Sequence, residues 1–181
     1  MGRINLYGVV SLLDEVHSLK VESIWSAMRA DLGVNKVCQT PFPHFSYHVS
    51  SEYDVDVLIP ALDQLAQGLS PFTIRTAGLA LFTGPAPVLY VPIVRPDWLS
   101  QIHQAIFSTV EHTGAEALVY YTPDIWMPHI TLADGAPLHN AMPQLIERFE
   151  DRPFQWQVPI NNLAIIHDSG SHQELVHRVT F

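Results

Sequence analysis

Apolar residues along the chain recur with two spacings, one typical of a strand and one typical of a helix. Ile4 to Leu13 is a mainly apolar run, which favours a central strand. From Glu15 to Leu32 apolar side chains recur at steps of three to five residues, which predicts an amphipathic helix ended by Gly33. A proline-containing loop then leads into a short strand from His44 to Ser50.

The remainder of the first half continues this alternation. A second helix is predicted with Pro60 near its start and Gly68 at its end, because proline is tolerated in a first turn and glycine favours a helix terminus. Phe72 to Thr76 and Leu79 to Phe82 then form either one long bent strand or two short ones.

The second half repeats the order of the first. Val88 to Val94 predicts a strand, and Asp97 to Thr113 predicts a helix closed by Gly114. A second strand that begins with proline and histidine follows at 128–132, and Asn140 is predicted to cap the next helix. The last predicted strands are Phe154 to Val158, Leu163 to His167 and Leu175 to Phe181.

Both halves therefore read as strand, helix, Pro-His strand, helix, Pro-Phe strand. Pro71-Phe72 begins 27 residues after the first histidine, and Pro153-Phe154 begins 24 residues after the second. This weak repeat predicts an α+β fold, a single domain over 1–181 with two pseudo-symmetric, βαβαβ-like lobes. The sequence halves are roughly 1–86 and 87–181, with mostly antiparallel sheets lining a central cleft and helices outside. A pseudo-two-fold axis would bring equivalent strands together.

Composition narrows the possible partners. Nine Lys and Arg against eighteen Asp and Glu give a formal charge of −9, and a duplex-binding protein normally carries a basic stripe. We therefore expect no duplex nucleic acid as a partner, whereas a small phosphate ester remains possible.

The start of the chain lacks a long apolar stretch, and Cys38 is the single cysteine, so no internal disulfide is possible. Both points favour the cytoplasm and no membrane.

Two short motifs carry the candidate chemistry. His44-Phe45-Ser46-Tyr47 and His129-Ile130-Thr131-Leu132 lie 85 positions apart, each after a proline. Side chains alternate along a strand, so each histidine shares a face with its hydroxyl residue while the apolar residues point into the core. Imidazole has an ordinary pKa of about 6.5, so one histidine can accept a proton while the other donates one.

These paired motifs resemble those of the two-histidine (2H) phosphoesterase superfamily, which includes the 2′-5′ RNA ligase-like proteins. The resemblance implies a bilobal fold and an enzyme that hydrolyses a 2′,3′-cyclic phosphate or a 2′-5′ phosphodiester of a nucleotide or short RNA end, without metal or cofactor. It implies His129 as the base that activates water and His44 as the acid. The hydroxyls of Ser46 and Thr131 would donate to the phosphate oxygens.

Several readings stay open at this point. Tyr121 and Trp126 flank the second motif, where each could stack on a nucleobase or pack on the core. Arg75 could contact the phosphate or lie at the surface. If its strand is regular, His48 shares the face of His44, which allows a metal-dependent hydrolase that uses both with His129. A non-catalytic nucleotide-binding module is the other alternative. The remaining histidines are expected at exposed positions or strand ends: His17, His103, His112, His139, His167, His172 and His177.

Overall fold

A computed structural model describes residues 5–32, 41–113, 115–135, 138–170 and 172–181. Three positions from the sequence predictions lie outside these ranges: Ile4 at the start of the first strand, and the helix-ending Gly33 and Gly114. Cys38 lies outside them as well.

The described elements follow the predicted alternation. The helices are α1 Glu15–Leu32, α2 Val55–Ala66, α3 Asp97–Glu111 and α4 Leu138–Phe149, with a short 3₁₀ helix at Val119–Tyr121. The strands are β1 Leu6–Leu12, β2 His44–Ser50, β3 Phe72–Arg75, β4 Ala80–Phe82, β5 Val88–Pro92, β6 His129–Asp134, β7 Gln157–Ile160, β8 Asn162–Asp168 and β9 Gln173–Thr180.

Several predicted boundaries are wrong. Helix α2 begins at Val55, so Pro60 lies inside the helix and not in its first turn, and strand β9 begins at Gln173 and not at Leu175. Helix α4 begins at Leu138, a fully buried residue, so Asn140 lies inside the helix and is not its cap. Strand β7 begins at Gln157 and not at Phe154. The carbonyl of Phe154 instead accepts hydrogen bonds from the Thr76 hydroxyl at 2.7 Å and from a backbone amide at 3.2 Å, so it is used outside any strand ladder.

The described strands form three sheets, and every pairing within them is antiparallel. The sheet orders are β2-β1-β8-β9, β3-β7 and β4-β5-β6. The predicted α+β class with antiparallel sheets is therefore confirmed. The division between sheets, however, does not follow the division between 1–86 and 87–181. Strand β8 from the second half joins the sheet of the first motif, and β4 from the first half joins the sheet of the second motif.

The strand pairings follow the same order in the two halves of the chain. Equivalent elements are β1 and β5, β2 and β6, and β4 and β8, because each β4 or β8 pairs with the first strand of the other half. The remaining equivalents, β3 and β7, pair with each other, with Phe72 opposite Ile160 and Arg75 opposite Gln157. A pseudo-two-fold axis between β3 and β7, which stays a prediction, would produce these pairings. Each half gives one strand to the sheet of the other, an arrangement we call the strand exchange.

A single large core holds these sheets and helices together. Its largest fully buried side chains include Tyr47 and Phe45 from β2, Ile130 and Leu132 from β6, and Trp126 from the loop before β6. The inward prediction for Phe45 and Tyr47 is thus confirmed. In the described part of the chain no helix combines the length and apolarity that crossing a bilayer requires.

The strand exchange predicts that neither half folds alone. A fragment of residues 1–86 lacks β8, so the inner edge of β1 has no partner, and unpaired buried backbone groups are costly. We expect no cooperative thermal unfolding for either half by circular dichroism, and recovery of a cooperative transition when both fragments are mixed. A fragment of 1–86 that unfolds cooperatively as a monomer would contradict the exchange.

Candidate active site

The first motif lies on β2, at the edge of the four-stranded sheet. His44 pairs with Leu12 of β1, and Ser46 pairs with Val10, so both side chains point to the same face. Both are half-buried there, whereas Phe45 between them is completely buried. The apolar residue of the motif thus anchors the strand in the core and turns the imidazole and the hydroxyl outward.

The second motif repeats this arrangement on β6. His129 pairs with Pro92 of β5, and Thr131 pairs with Tyr90. Ile130 is buried between them. The imidazole is half-buried and the threonine is exposed, so the second hydroxyl is the more accessible of the two.

Each motif strand contains a β-bulge three residues after its histidine. Tyr47 has no partner in β1, and Leu132 has none in β5, so the pairing shifts by one residue at both positions. A bulge reverses the facing of the residues that follow it. The next residues, His48 and Ala133, are therefore buried although they follow a buried residue.

The bulge corrects the prediction for His48. Its side chain faces the core, where Nδ1 lies 2.7 Å from the Tyr53 hydroxyl, and burial lowers its pKa to about 4. Val49 lines the cleft in its place. A metal site formed by His44, His48 and His129 is consequently not assembled in this fold.

Both motif histidines are held by the same hydrogen bond. Nδ1 of His44 lies 2.5 Å from the carbonyl oxygen of Phe42, and Nδ1 of His129 lies 2.7 Å from that of Met127. A carbonyl only accepts, so Nδ1 carries the proton in each ring, and Nε2 is the nitrogen that can exchange one. In each case the accepting residue precedes a proline, which restricts it to extended backbone.

The two imidazoles lie in one cleft. His44, Ser46, His129 and Thr131 line a space of about 180 Å³ together with Tyr121. Strands β2 and β6 contact each other, which brings the two motif faces together. His44 and His129 therefore lie near each other in space, as the sequence repeat predicted.

Burial and mutual repulsion set the protonation of the pair. Burial lowers the pKa of both imidazoles below the ordinary histidine value, and the hydrogen bonds to Phe42 and Met127 offset part of this effect. The positive charge of a protonated His129 lowers the pKa of His44 further. These effects favour the neutral forms, and a bound anion would raise both pKa values.

Tyr121 lies in the cleft, as is required if it is to stack on a nucleobase, which was one of its two predicted placements. Burial raises the pKa of its phenol, and a hydrogen bond with the Ser46 side chain partly opposes that rise. The phenol therefore reaches the hydroxyl of the first motif from the loop before the second motif.

Trp126 does not face the cleft, so of the two placements that the sequence left open, packing on the core is the one found. The residue is only 1% exposed. Its Nε1–H donates to the carbonyl oxygen of Ser46 at 2.9 Å, and its ring stacks on His103 with 3.9 Å between centroids. The indole thus joins the loop before the second motif to the backbone of the first.

His103 completes this support and corrects a second expectation. It was expected at a helix surface, but it is fully buried, and its Nε2 lies 2.9 Å from the carbonyl oxygen of Tyr47. Burial lowers its pKa to about 4, so the ring is neutral near pH 7.

His17 is also buried, with Nδ1 2.5 Å from an Asp14 carboxylate oxygen. His112, His139 and His172 are exposed as expected.

Arg75 is not part of the cleft. It lies exposed on β3, opposite Gln157, and it is absent from the cleft lining. No Lys or Arg is among the described residues that line the cleft. An anion there would be held by imidazoles and hydroxyls. Of the two placements that the sequence left open for Arg75, the surface position is the one found.

Other cleft residues come from strands that carry no motif. Tyr7 and Gly8 on β1, and Asp168 and Gln173 at the β8–β9 turn, line the side nearest the four-stranded sheet. Gln173 donates through Nε2 to an Asp168 carboxylate oxygen at 2.7 Å. Local sequence offers no signal for them, because they reach the cleft only through the strand exchange.

In the described residues, no group of three or more potential metal ligands is clustered.

Comparisons with known proteins agree with this geometry. Residues 17–172 match the model of the 2′-5′ RNA ligase superfamily. The chain therefore belongs to this superfamily, as its resemblance to the 2H phosphoesterases predicted. A comparison with curated proteins found no match.

Solved structures share the fold at low sequence identity. TT0787 of Thermus thermophilus is 16% identical, with 97% of each chain covered and a TM-score of 0.68. E. coli LigT in complex with 3′-AMP is 15% identical, with 99% of each chain covered and a TM-score of 0.61. LigT with phosphate is 11% identical, covering 99% of this chain and 98% of the other, with a TM-score of 0.58.

Replacement of His129 by Gln is expected to raise the pKa of His44, because it removes the nearby positive charge that disfavours a second one. The pKa of His44 can be followed by NMR of its ring nitrogens in both proteins. His139→Gln, at an exposed position, is the matched control and should leave it unchanged. A His44 pKa that stays constant or falls in the His129 variant would show that the two rings do not interact.

Replacement of Trp126 by Phe should destabilise the protein by about 2–4 kcal/mol, because it leaves a cavity and an unpaired Ser46 carbonyl. Urea unfolding measures this loss. Trp98→Phe, at a 40% exposed position, should cost less than about 1 kcal/mol. Equal losses in both variants would contradict the supporting role of Trp126.

Proposed function

We propose that this protein is a metal-independent phosphodiesterase that hydrolyses a 2′,3′-cyclic phosphate or a 2′-5′ phosphodiester of a nucleotide or short RNA end. The observation that carries the proposal is the pairing of His44 and His129 in one cleft, each held by an equivalent Nδ1–H to carbonyl hydrogen bond. Both rings are thereby oriented, and both keep Nε2 for proton transfer.

The reaction needs one imidazole in each protonation state. A neutral ring takes a proton from the attacking water, and a protonated ring gives one to the departing ester oxygen. The charge interaction between the rings favours this arrangement, because a proton on His129 disfavours a second proton on His44. The substrate phosphate, an anion, compensates the one positive charge that remains.

Hydroxyl groups would hold the phosphate. Ser46 and Thr131 occupy equivalent positions on the two motif strands and line the same cleft. Their O–H groups can donate to the non-bridging oxygens, on which charge grows during the reaction. Tyr121, hydrogen-bonded with the Ser46 side chain, would hold that hydroxyl in position.

Membership of the superfamily supports a phosphoester substrate. The structure of LigT with 3′-AMP shows that a protein of this fold accommodates a nucleotide monophosphate. The net charge of −9 and the absence of Lys and Arg from the described cleft lining favour a small substrate with few phosphates over a long RNA.

His44→Ala and His129→Ala should each lower turnover of 2′,3′-cyclic nucleotides by at least about 10²–10⁴, the range of one general acid or base, with little change in the melting temperature. The assay contains EDTA, and 2′-5′ dinucleotides are tested in parallel. His172→Ala, at an exposed position, is the matched control and should retain full activity.

Three results of this assay would count against the proposal. Near-wild-type turnover by either motif variant would refute paired catalysis. Activity that EDTA abolishes would indicate a metal-dependent enzyme. Tight nucleotide binding by the folded wild-type protein without any product would indicate a non-catalytic binding module of the same fold.

A further inference from the structure

A second pocket lies on the exposed face of helix α1, between that helix and the connection from α4 to β7. We call it the α1 pocket. It has a volume of about 540 Å³, within the range of small-molecule sites. None of its lining residues lines the cleft between the motif histidines. Its principal side chains are Val16, Leu19, Lys20, Arg152, Phe154 and Trp156.

Aromatic rings form one wall of the α1 pocket. Phe154 is buried and Trp156 is half-buried, with 5.8 Å between their ring centroids. Thr76 holds the backbone of Trp156 on both sides of that residue. The Trp156 N–H donates to the Thr76 hydroxyl at 2.7 Å, and the Trp156 carbonyl accepts from the Thr76 N–H at 3.0 Å. The indole is therefore anchored in place, and its face can receive a flat ring.

Helix α1 adds exposed apolar surface to the pocket. Val16 is 57% exposed and Leu19 is 59% exposed, although both side chains are aliphatic. They lie three residues apart on the helix, so the two side chains are neighbours. Apolar surface of this kind, left uncovered at a concave site, commonly marks the position of a ligand.

Two cations lie over the aromatic residues around the pocket. Nζ of Lys20 is 5.8 Å from the centroid of the Trp156 ring. The guanidinium carbon of Arg152 is 5.5 Å from the centroid of Phe149, and the Phe149 ring is edge-on to that of Phe154. Within the described part of the chain, neither cation forms an ion pair with a carboxylate. Both therefore keep a positive charge that an incoming anion can pair with.

The charge of the α1 pocket contrasts with that of the whole chain. The protein has a formal charge of −9 and only nine Lys and Arg, yet two of these nine line the pocket. Its described lining contains no Asp or Glu. Exposed charges more than about 8 Å away are largely screened at physiological ionic strength, so the local positive charge decides. The pocket therefore favours an anion that also has an apolar body.

Larger partners fit this surface less well. In a symmetric dimer with its axis at the pocket, Lys20 and Arg152 would approach the same cations of the second copy. A long nucleic acid is held by many phosphate contacts along a basic stripe, whereas the pocket offers two cations. A single small molecule can cover the apolar surface and pair with both cations.

We propose that the α1 pocket binds a small organic anion with a planar aromatic body. The ring packs against Trp156 and Leu19, and the anionic group pairs with Lys20 and Arg152. An aromatic carboxylate and an aromatic phosphate share this chemistry, and the experiment distinguishes them. The pocket is separate from the cleft, so the inference does not depend on the proposed function.

Three ligands with the same ring system test the proposal: 2-naphthoate, 2-naphthyl phosphate and the uncharged 2-naphthamide. Calorimetry gives their affinities, and NMR follows the indole N–H of Trp156. We expect one equivalent of anion to bind and to shift the Trp156 signal, with the amide at least about threefold weaker because it forms no ion pair. The tighter anion identifies the anionic group. Equal affinity for all three ligands would overturn the role of the cations.

Substitutions of exposed side chains locate the ligand. Lys20→Gln and Arg152→Gln should each weaken the preferred anion about two- to fivefold and leave the amide unchanged, because each removes one surface ion pair. Arg29→Gln, on the same helix but outside the pocket, is the matched control and should bind as wild type does. Leu19→Ala should weaken anion and amide alike, by about threefold or more. Ile146→Ala, 57% exposed and outside the pocket, should weaken neither.

Three further results would overturn the proposal. The first is the absence of saturable binding of either anion by the folded protein. The second is binding that inorganic phosphate displaces and His129→Gln abolishes while Lys20→Gln and Arg152→Gln leave it intact, which would place the ligand in the cleft. The third is a dimer in sedimentation that Leu19→Ala dissociates, which would assign the surface to a second copy. None of these measurements requires turnover, so failure of the proposed function would not be confused with failure of the pocket.

Discussion

Backbone pairing between the two halves of the chain is the constraint on which the candidate site depends. β3 pairs with its own equivalent β7, and β4 and β8 each complete the sheet of the other half. These ladders fix β2 and β6 relative to each other, so the motif histidines are positioned by strands and not by loops. Such rigid elements hold reacting groups more accurately than mobile segments do.

The two motifs repeat the same local construction but receive unequal support. Each histidine is fixed by the carbonyl two residues before it, and each strand bulges three residues after it. Trp126 has no counterpart in this symmetry among the described contacts: it donates to the Ser46 carbonyl and stacks on His103. The segment before the second motif also supplies Tyr121 to the cleft. One duplicated framework thus supports a site whose two sides differ.

The sequence indicated the repeat, the strand positions of both motifs and the burial of Phe45 and Tyr47, because these follow from local periodicity. It did not indicate the bulge that turns His48 inward, since a one-residue shift in register depends on the partner strand. The placements of Trp126 and Arg75 stayed open for a similar reason. Tertiary contacts decide whether an aromatic residue in a loop packs into the core. They also decide whether an arginine on a strand faces the cleft or the solvent. The strand exchange brought Asp168 and Gln173 to the cleft, and no local pattern reveals such an exchange.

The central claim is that two imidazoles from separate strands act on one phosphate. The most direct test is a crystal structure of the protein with inorganic phosphate or vanadate at neutral pH. We expect one anion between the rings, with Nε2 of His44 and Nε2 of His129 both within about 3 Å of its oxygens on opposite sides. An anion that contacts only one of the two imidazoles, or that binds outside the cleft while the cleft is accessible, would contradict it.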